Sequence, residues 1–234
     1  MVDYWLAGES TADVKLEFLD ADSQVIRQYS GQELAASAGM NRWAWDMRYP
    51  GVELPPSAGA LPDFESSDHS PPSRPVAPPG SYRVRLTAGE QVLEQPFEIR
   101  RDPRTTASDA DLVAQFELMV AINGRVTDVT ETVLGVREIR ADVIARRAGL
   151  DDPDAILRQL DDIEAELTIW MGTEEHPMMF GPPGLIQKLS RLSGAVISAD
   201  QRPTPSMYAV FDDLSARLER RRVELRGLID QLER

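Results

Sequence analysis

The sequence predicts an α+β chain in two domains. An antiparallel β-sandwich is expected over 1–103, and a long antiparallel bundle of three or four helices over 104–234. Three observations carry this reading. Before Asp102-Pro103, apolar residues alternate with polar ones, the period of a half-buried strand. In that first part the turns are rich in Gly and Pro. After it, apolar residues recur every three or four positions to the end.

The strands come first. Val14, Leu16 and Phe18, then Val25-Ile26, flank Asp20-Ala21-Asp22-Ser23, which reads as two strands around a tight turn. Trp43, Trp45 and Met47 alternate with Ala44, Asp46 and Arg48, so both tryptophans are expected on one face of one strand. Tyr82, Val84 and Leu86 form a further strand, and Ala88-Gly89-Glu90-Gln91 a hairpin turn before Val92, Leu93, Phe97 and Ile99. Short strands with turns about every ten residues fit two packed antiparallel sheets. From about 50 to 79 a proline-rich insertion interrupts them, with little that could join a core and mobility expected in part of it.

Ser108 is a natural N-cap, with Asp109 and Asp111 placed for the positive end of a helix dipole. The stripe Leu112, Phe116, Met119, Ile122, Val126, Val129, Val133, Val136, Ile139 and Val143 follows, at a mean spacing of about 3.4 residues. With Gly149 as its stop, a helix from Ser108 to Ala148 would be roughly 60 Å long and needs helical partners. They follow in order. Asp152-Pro153 opens a helix with Ile156, Leu160, Ile163, Leu167 and Trp170. A shorter one carries Leu185, Leu189, Leu192 and Val196. Thr204-Pro205 opens the last, with Met207, Phe211, Leu214, Leu218, Leu225, Leu228 and Leu232.

Composition narrows the chemistry. The 234 residues carry 25 Lys+Arg and 39 Asp+Glu, a formal net charge of −14 that disfavours phosphate backbones and anionic lipid surfaces. With no cysteine and only His69 and His176, neither a thiolate nucleophile nor a multi-histidine metal site is expected, and no cofactor is implied. No apolar run approaches the roughly 20 residues that span a bilayer, and the start MVDYWLAGES has no signal-peptide pattern.

Four groups could carry function. The doublets Asp151-Asp152, Asp161-Asp162 and Asp212-Asp213 point about 100° apart on a helix, which suits solvated faces and caps better than a convergent acid–base pair. Glu174, Glu175 and His176 lie in an inter-helix loop without a second histidine at ligand spacing. The arginines Arg217, Arg220, Arg221, Arg222 and Arg226 are expected to pair with Glu219, Glu224 and acidic neighbours. Trp43, Trp45 and Tyr49 are the candidate ligand or interface residues. An aromatic row can stack on sugar rings, as in carbohydrate-binding modules, or fill a core.

A resemblance enters through particular strings. VKLEFLDADSQVIR (Val14 to Arg27), Trp45-Asp46 and Pro79-Gly80-Ser81-Tyr82-Arg83-Val84 resemble the Ig-like domain of the flagellar hook-capping family. Asn41-Arg42-Trp43-Ala44-Trp45-Asp46-Met47-Arg48-Tyr49-Pro50, Asp102-Pro103-Arg104, SDADLVAQFELM and Tyr208-Ala209-Val210-Phe211-Asp212-Asp213-Leu214 resemble the C-terminal region of bacterial Asp-box (BNR) repeat, sortilin-like β-propeller proteins. Those proteins are often labelled glycosyl hydrolases. The resemblance implies an Ig-like sandwich with a helical tail, a propeller preceding it, and an exported parent, periplasmic or extracellular. No Asp-box stands in this sequence, so no catalytic residue carries over. The expectation is therefore a non-catalytic accessory region that packs on a propeller or presents its bundle to a partner protein. The alternatives are a carbohydrate-binding module that takes polysaccharide on Trp43, Trp45 and Tyr49, and a hydrolase with two carboxylates about 5–10 Å apart.

Overall fold

A computed structural model describes residues 1–8, 14–34, 36–54, 72–168 and 183–232. Among them the chain is α+β, strands first and helices after. The strands are β1 (Val2–Leu6), β2 (Val14–Leu19), β3 (Val25–Ser30), β4 (Gly39–Trp43), β5 (Gly80–Ala88) and β6 (Gln91–Ile99). The helices are α1 (Asp109–Ala145), α2 (Pro153–Leu167), α3 (Leu185–Val196) and α4 (Pro205–Leu232). No helix among the described residues is long and apolar enough to cross a membrane.

Two compact units divide the chain. One draws on residues within Met1–Pro50, Arg74–Phe116 and Asp200–Arg202, the other on residues within Gly51–Ser73, Glu117–Ala199 and Pro203–Arg234.

In the first unit every strand pairing is antiparallel, in a two-stranded sheet β1-β4 and a four-stranded sheet β3-β2-β5-β6. Tyr4 and Leu6 from one sheet join Leu16, Phe18 and Tyr82 from the other in a single apolar core. The β2–β3 turn is held by Asp20, whose Oδ1 accepts from the backbone N–H groups of Asp22 and Gln24, the turn chemistry that Asp supplies. Gly89, at φ +57, takes the first position of the two-residue β5–β6 turn, where a II′ geometry needs a left-handed residue.

That turn makes Ala88 and Gln91 a hydrogen-bonded pair, and such pairs alternate along an antiparallel ladder. Arg83 and Pro96, five residues on, are then a non-bonded pair. The N–H that Pro96 lacks is one that would face the free edge, so the ladder is intact and the edge is blunted against another strand. α1 starts in this unit with a capping box. Asp111 accepts from the Ser108 N–H and hydroxyl, Ser108 accepts from the Asp111 N–H, and Arg202 Nε donates to Asp111 at 2.9 Å. Bonds from Ser108 and Arg202 hold the Asp111 carboxyl down to about 2.

In the second unit the expected stripes are the core. Met119, Ile122, Val126, Val129, Val133 and Val136 of α1 pack with Leu160, Ile163 and Leu167 of α2. Leu185, Leu189, Leu192 and Val196 of α3 and Leu214, Leu218, Leu225 and Leu228 of α4 complete the cluster. α1 ends at Ala145, short of the expected span, and Arg147–Gly149 form a separate 3₁₀ turn. Asp152 caps α2 by accepting from the Ala155 N–H at 2.9 Å, with Pro153 at its start.

The insertion differs from its expectation. Val52 and Leu54 pack against the helical core. Thr130 of α1 donates to the Glu53 carbonyl, and the Ser73 N–H donates to Ser193 Oγ of α3. Residues 55–71 of the insertion lie outside the described residues. Val52 and Leu54 are isolated apolar residues among prolines, and their spacing alone names no partner.

Two glycines of this unit make opposite predictions. A Cβ on Gly184 would sit 2.6–2.7 Å from backbone atoms of Thr168, which cannot swing aside. Gly184→Ala should destabilise the protein by about 1–3 kcal/mol. Gly124, mid-helix in α1, has nothing within 4 Å of an added Cβ, so Gly124→Ala should stabilise by about 0.5–1 kcal/mol. Denaturant midpoints for the two variants would check both signs.

Candidate functional site

The segment from Trp43 to Tyr49 is the natural place to look for a ligand face. β4 ends at Trp43, so Trp43 and Trp45 do not share the face of one strand as the alternation predicts. The reason is local. Met47 adopts φ +56, and the Asp46 carboxylate accepts from the Arg48 N–H at 3.1 Å. The chain turns there instead of continuing extended.

Trp45, between the end of β4 and this turn, is buried. Its exposure is 8%, and its ring stacks on Phe18 with centroids 4.6 Å apart and planes 23° from parallel. Tyr82 and Phe97 each meet it edge-on at 6.3 Å. Its Nε1–H donates to the Arg48 carbonyl at 3.3 Å. Trp43 is half-buried and lies 4.7 Å from Tyr29, with its Nε1 buried and without an acceptor among the described residues. Tyr49 meets Phe116 at 4.7 Å. The three aromatics are thus brought into one unit but not into one row, and each ring packs against a neighbouring ring.

Two arginines that the sequence reading passed over close the base of the insertion. Arg74 donates from Nε to the Tyr49 carbonyl at 3.1 Å and from Nη1 to Asp46 Oδ2 at 2.9 Å. Arg48 Nη1 donates back to the Arg74 carbonyl at 2.8 Å. Backbone bonds from the Tyr49 N–H to Pro75 and from the Ala77 N–H to Met47 complete the clasp, at 2.9 and 2.8 Å. Arg48 and Arg74 stand 26 residues apart, and no sequence period connects them. The only signal is that each precedes a proline by one or two residues.

The hydroxyls nearby are restrained. Burial pushes Tyr49 above its ordinary value, and the Asp20 charge adds to the effect. Tyr82 is raised much further by burial, then by Tyr49 and Asp20. Its hydroxyl donates to the Pro78 carbonyl at 2.8 Å. A phenol held neutral and already donating to a carbonyl is a structural tie.

The least exposed carboxylates elsewhere face cations. Glu17 of β2, 4% exposed, has Lys15 at 3.0 Å and Arg85 at 3.6 Å. Glu164 of α2, 7% exposed, accepts from Arg137 Nε at 2.7 Å and Arg140 Nη1 at 2.6 Å. Glu166 accepts from Arg217 at 2.8 Å and Arg221 at 2.6 Å. Burial raises Glu166, but the two arginines outweigh it, and the group sits below the usual carboxylate range. Of the aspartate doublets, Asp152 is the α2 cap and Asp161 accepts from Arg140 at 2.8 Å. Asp212 and Asp213 are exposed.

Of the α4 arginines, Arg217 pairs with Glu166, Arg221 with Glu166 and Glu224, and Arg222 with Glu219 at 3.4 Å, while Arg220 and Arg226 make no ion pair among the described residues. Glu174, Glu175, His176, His69 and Trp170 lie outside the described residues. Among the described residues no three His, Cys, Asp or Glu side chains gather where they could hold a metal ion.

Trp45 and Trp43 should separate on truncation. Trp45→Ala removes a fully surrounded ring and should cost about 3–5 kcal/mol. Trp43→Ala should cost distinctly less, because its ring is only half-buried. Thermal melts of both variants, compared with the parent chain, read the difference. Comparison of the chain with protein-family models, curated proteins and solved structures finds no match.

Proposed function

We propose that this chain is a non-catalytic interaction module, an accessory region of a larger exported β-propeller protein. Its two sheets would face each other as an Ig-like sandwich, and its helices would form an antiparallel bundle shown to a partner. The observation that carries the reading is the pairing at Glu164 and Glu166. The least exposed carboxylates of the helical unit face two arginines each, the reverse of what a general acid with a raised pKa requires. The resemblance of the Asn41–Pro50 segment and the helical tail to propeller-linked regions supports the same reading. So does the packing of Trp43, Trp45 and Tyr49 against other rings. That packing leaves the polysaccharide alternative without a shared aromatic platform.

The test is a panel of chromogenic glycosides incubated with the purified chain. No turnover above the buffer blank is expected, and polysaccharides should leave the tryptophan emission unchanged. Turnover that disappears on replacing one carboxylate by its amide would overturn the proposal. Quenching that is lost in Trp43→Ala would move the assignment to carbohydrate binding.

A further inference from the structure

α2 and α4 do not close on each other along their whole length. At the end of the helical unit a cavity of about 890 Å³ opens between the α1–α2 connection, the start of α2 and the end of α4. A second, of about 230 Å³, lies further along the α2–α4 seam. Gln159 lines both, so the two adjoin at that residue and together make up a groove along the seam that its side chain divides. Along α4 it runs from Arg221 to Leu232, about 16 Å at 1.5 Å per residue, or three helical turns.

The floor is apolar. Leu150, Ile156 and Leu232 are half-buried in it, and Ile163 and Leu228 lie beneath. The rim is acidic, with Asp151 at one end and Asp162 at the other. The arginines that line the two cavities, Arg146 and Arg221, are already engaged. Arg146 pairs with Asp142, Arg147 with Asp154, and Arg221 with Glu166 and Glu224. Asp151 and Asp162 have no cationic partner among the described residues.

We propose that this groove docks a cationic amphipathic helix of a partner protein, its apolar face on Leu150, Ile156 and Leu232 and its lysines or arginines against Asp151 and Asp162. A helix is the element whose ridges fit a seam between two helices. The charge of the rim selects its sign. A second copy of the chain fits poorly, because it brings the same acids to the same seam on a molecule of net charge −14. The proposal rests on the interaction-module reading and gives its partner a chemistry.

The probe is a fluorescein-labelled peptide of about 15 residues, leucine and lysine in an amphipathic helical pattern, long enough to be helical when docked. Its twin carries glutamate for lysine. Anisotropy titrations should show saturable binding of the lysine peptide and none of the twin. Asp151→Asn with Asp162→Asn should weaken binding about tenfold or more, as should Gln159→Arg, which places a cation where the two cavities meet. Asp212→Asn with Asp213→Asn, exposed on α4 outside the groove, should change it less than about twofold. Circular dichroism melts confirm that each variant is folded.

Absence of binding overturns the proposal, as does equal binding of the twin. Equal weakening by both double variants would reduce the effect to general attraction to a negative molecule, and overturns it too. Self-association abolished by Gln159→Arg, seen in sedimentation velocity, would assign the groove to a second copy instead. Glycoside turnover would sink the non-catalytic reading and leave these titrations standing, whereas failure here removes the groove alone.

Discussion

The helical unit depends on covering the valines of α1. At 37 residues this helix is the longest element in the chain, and much of its inward stripe is β-branched: Val126, Val129, Val133, Val136 and Val143, all fully buried. Valine is a mediocre helix former, and Gly124 and Gly135 lower the intrinsic propensity further, by about 1 kcal/mol each relative to alanine. Little in the local sequence would hold such a helix together in water. It stands because α2, α3 and α4 remove the stripe from solvent, at about 1.5–3 kcal/mol for each fully buried side chain of this size.

Charge then fixes how α2 is held. Its buried and half-buried glutamates face opposite neighbours, Glu164 toward arginines of α1 and Glu166 toward arginines of α4. Buried ion pairs add little net stability over an apolar packing of the same volume, yet removing one partner is costly. Their value is to specify one rotation of α2 about its axis, since a turn of 100° would bury an unpaired carboxylate. For an acidic chain this matters, because arginines are in the minority and most of those flanking α2 are committed to it. The acids left unmatched are on the outside, and two of them, Asp151 and Asp162, stand over an apolar floor.

The parts of this architecture that repeat were legible in the sequence. The three-and-four spacing of Leu185, Leu189, Leu192 and Val196, or of Leu160, Ile163 and Leu167, is a local property that burial turns into a core. The hairpin at Gly89-Glu90 has turn residues that name their own geometry. What could not be read depends on chain crossings. The alternation of Trp43, Trp45 and Met47 is broken by a left-handed residue at Met47, and Met is not a residue that announces φ > 0. The Arg48–Arg74 clasp joins residues on either side of the insertion, so neither arginine has a visible partner in its own segment. Val52 and Leu54 look like strays until α1 and its neighbours are placed. The groove was invisible for the same reason, since its floor and rim come from three separate stretches of chain.

Native-state hydrogen exchange on α1 tests the account most directly. If the valine stripe is held by the other three helices, amides from Val126 to Val136 should exchange only through global unfolding, with one denaturant dependence shared by Leu160, Leu189 and Leu218. Exchange of the α1 amides at the rate of a fraying helix, while those of α3 and α4 remain protected, would contradict it.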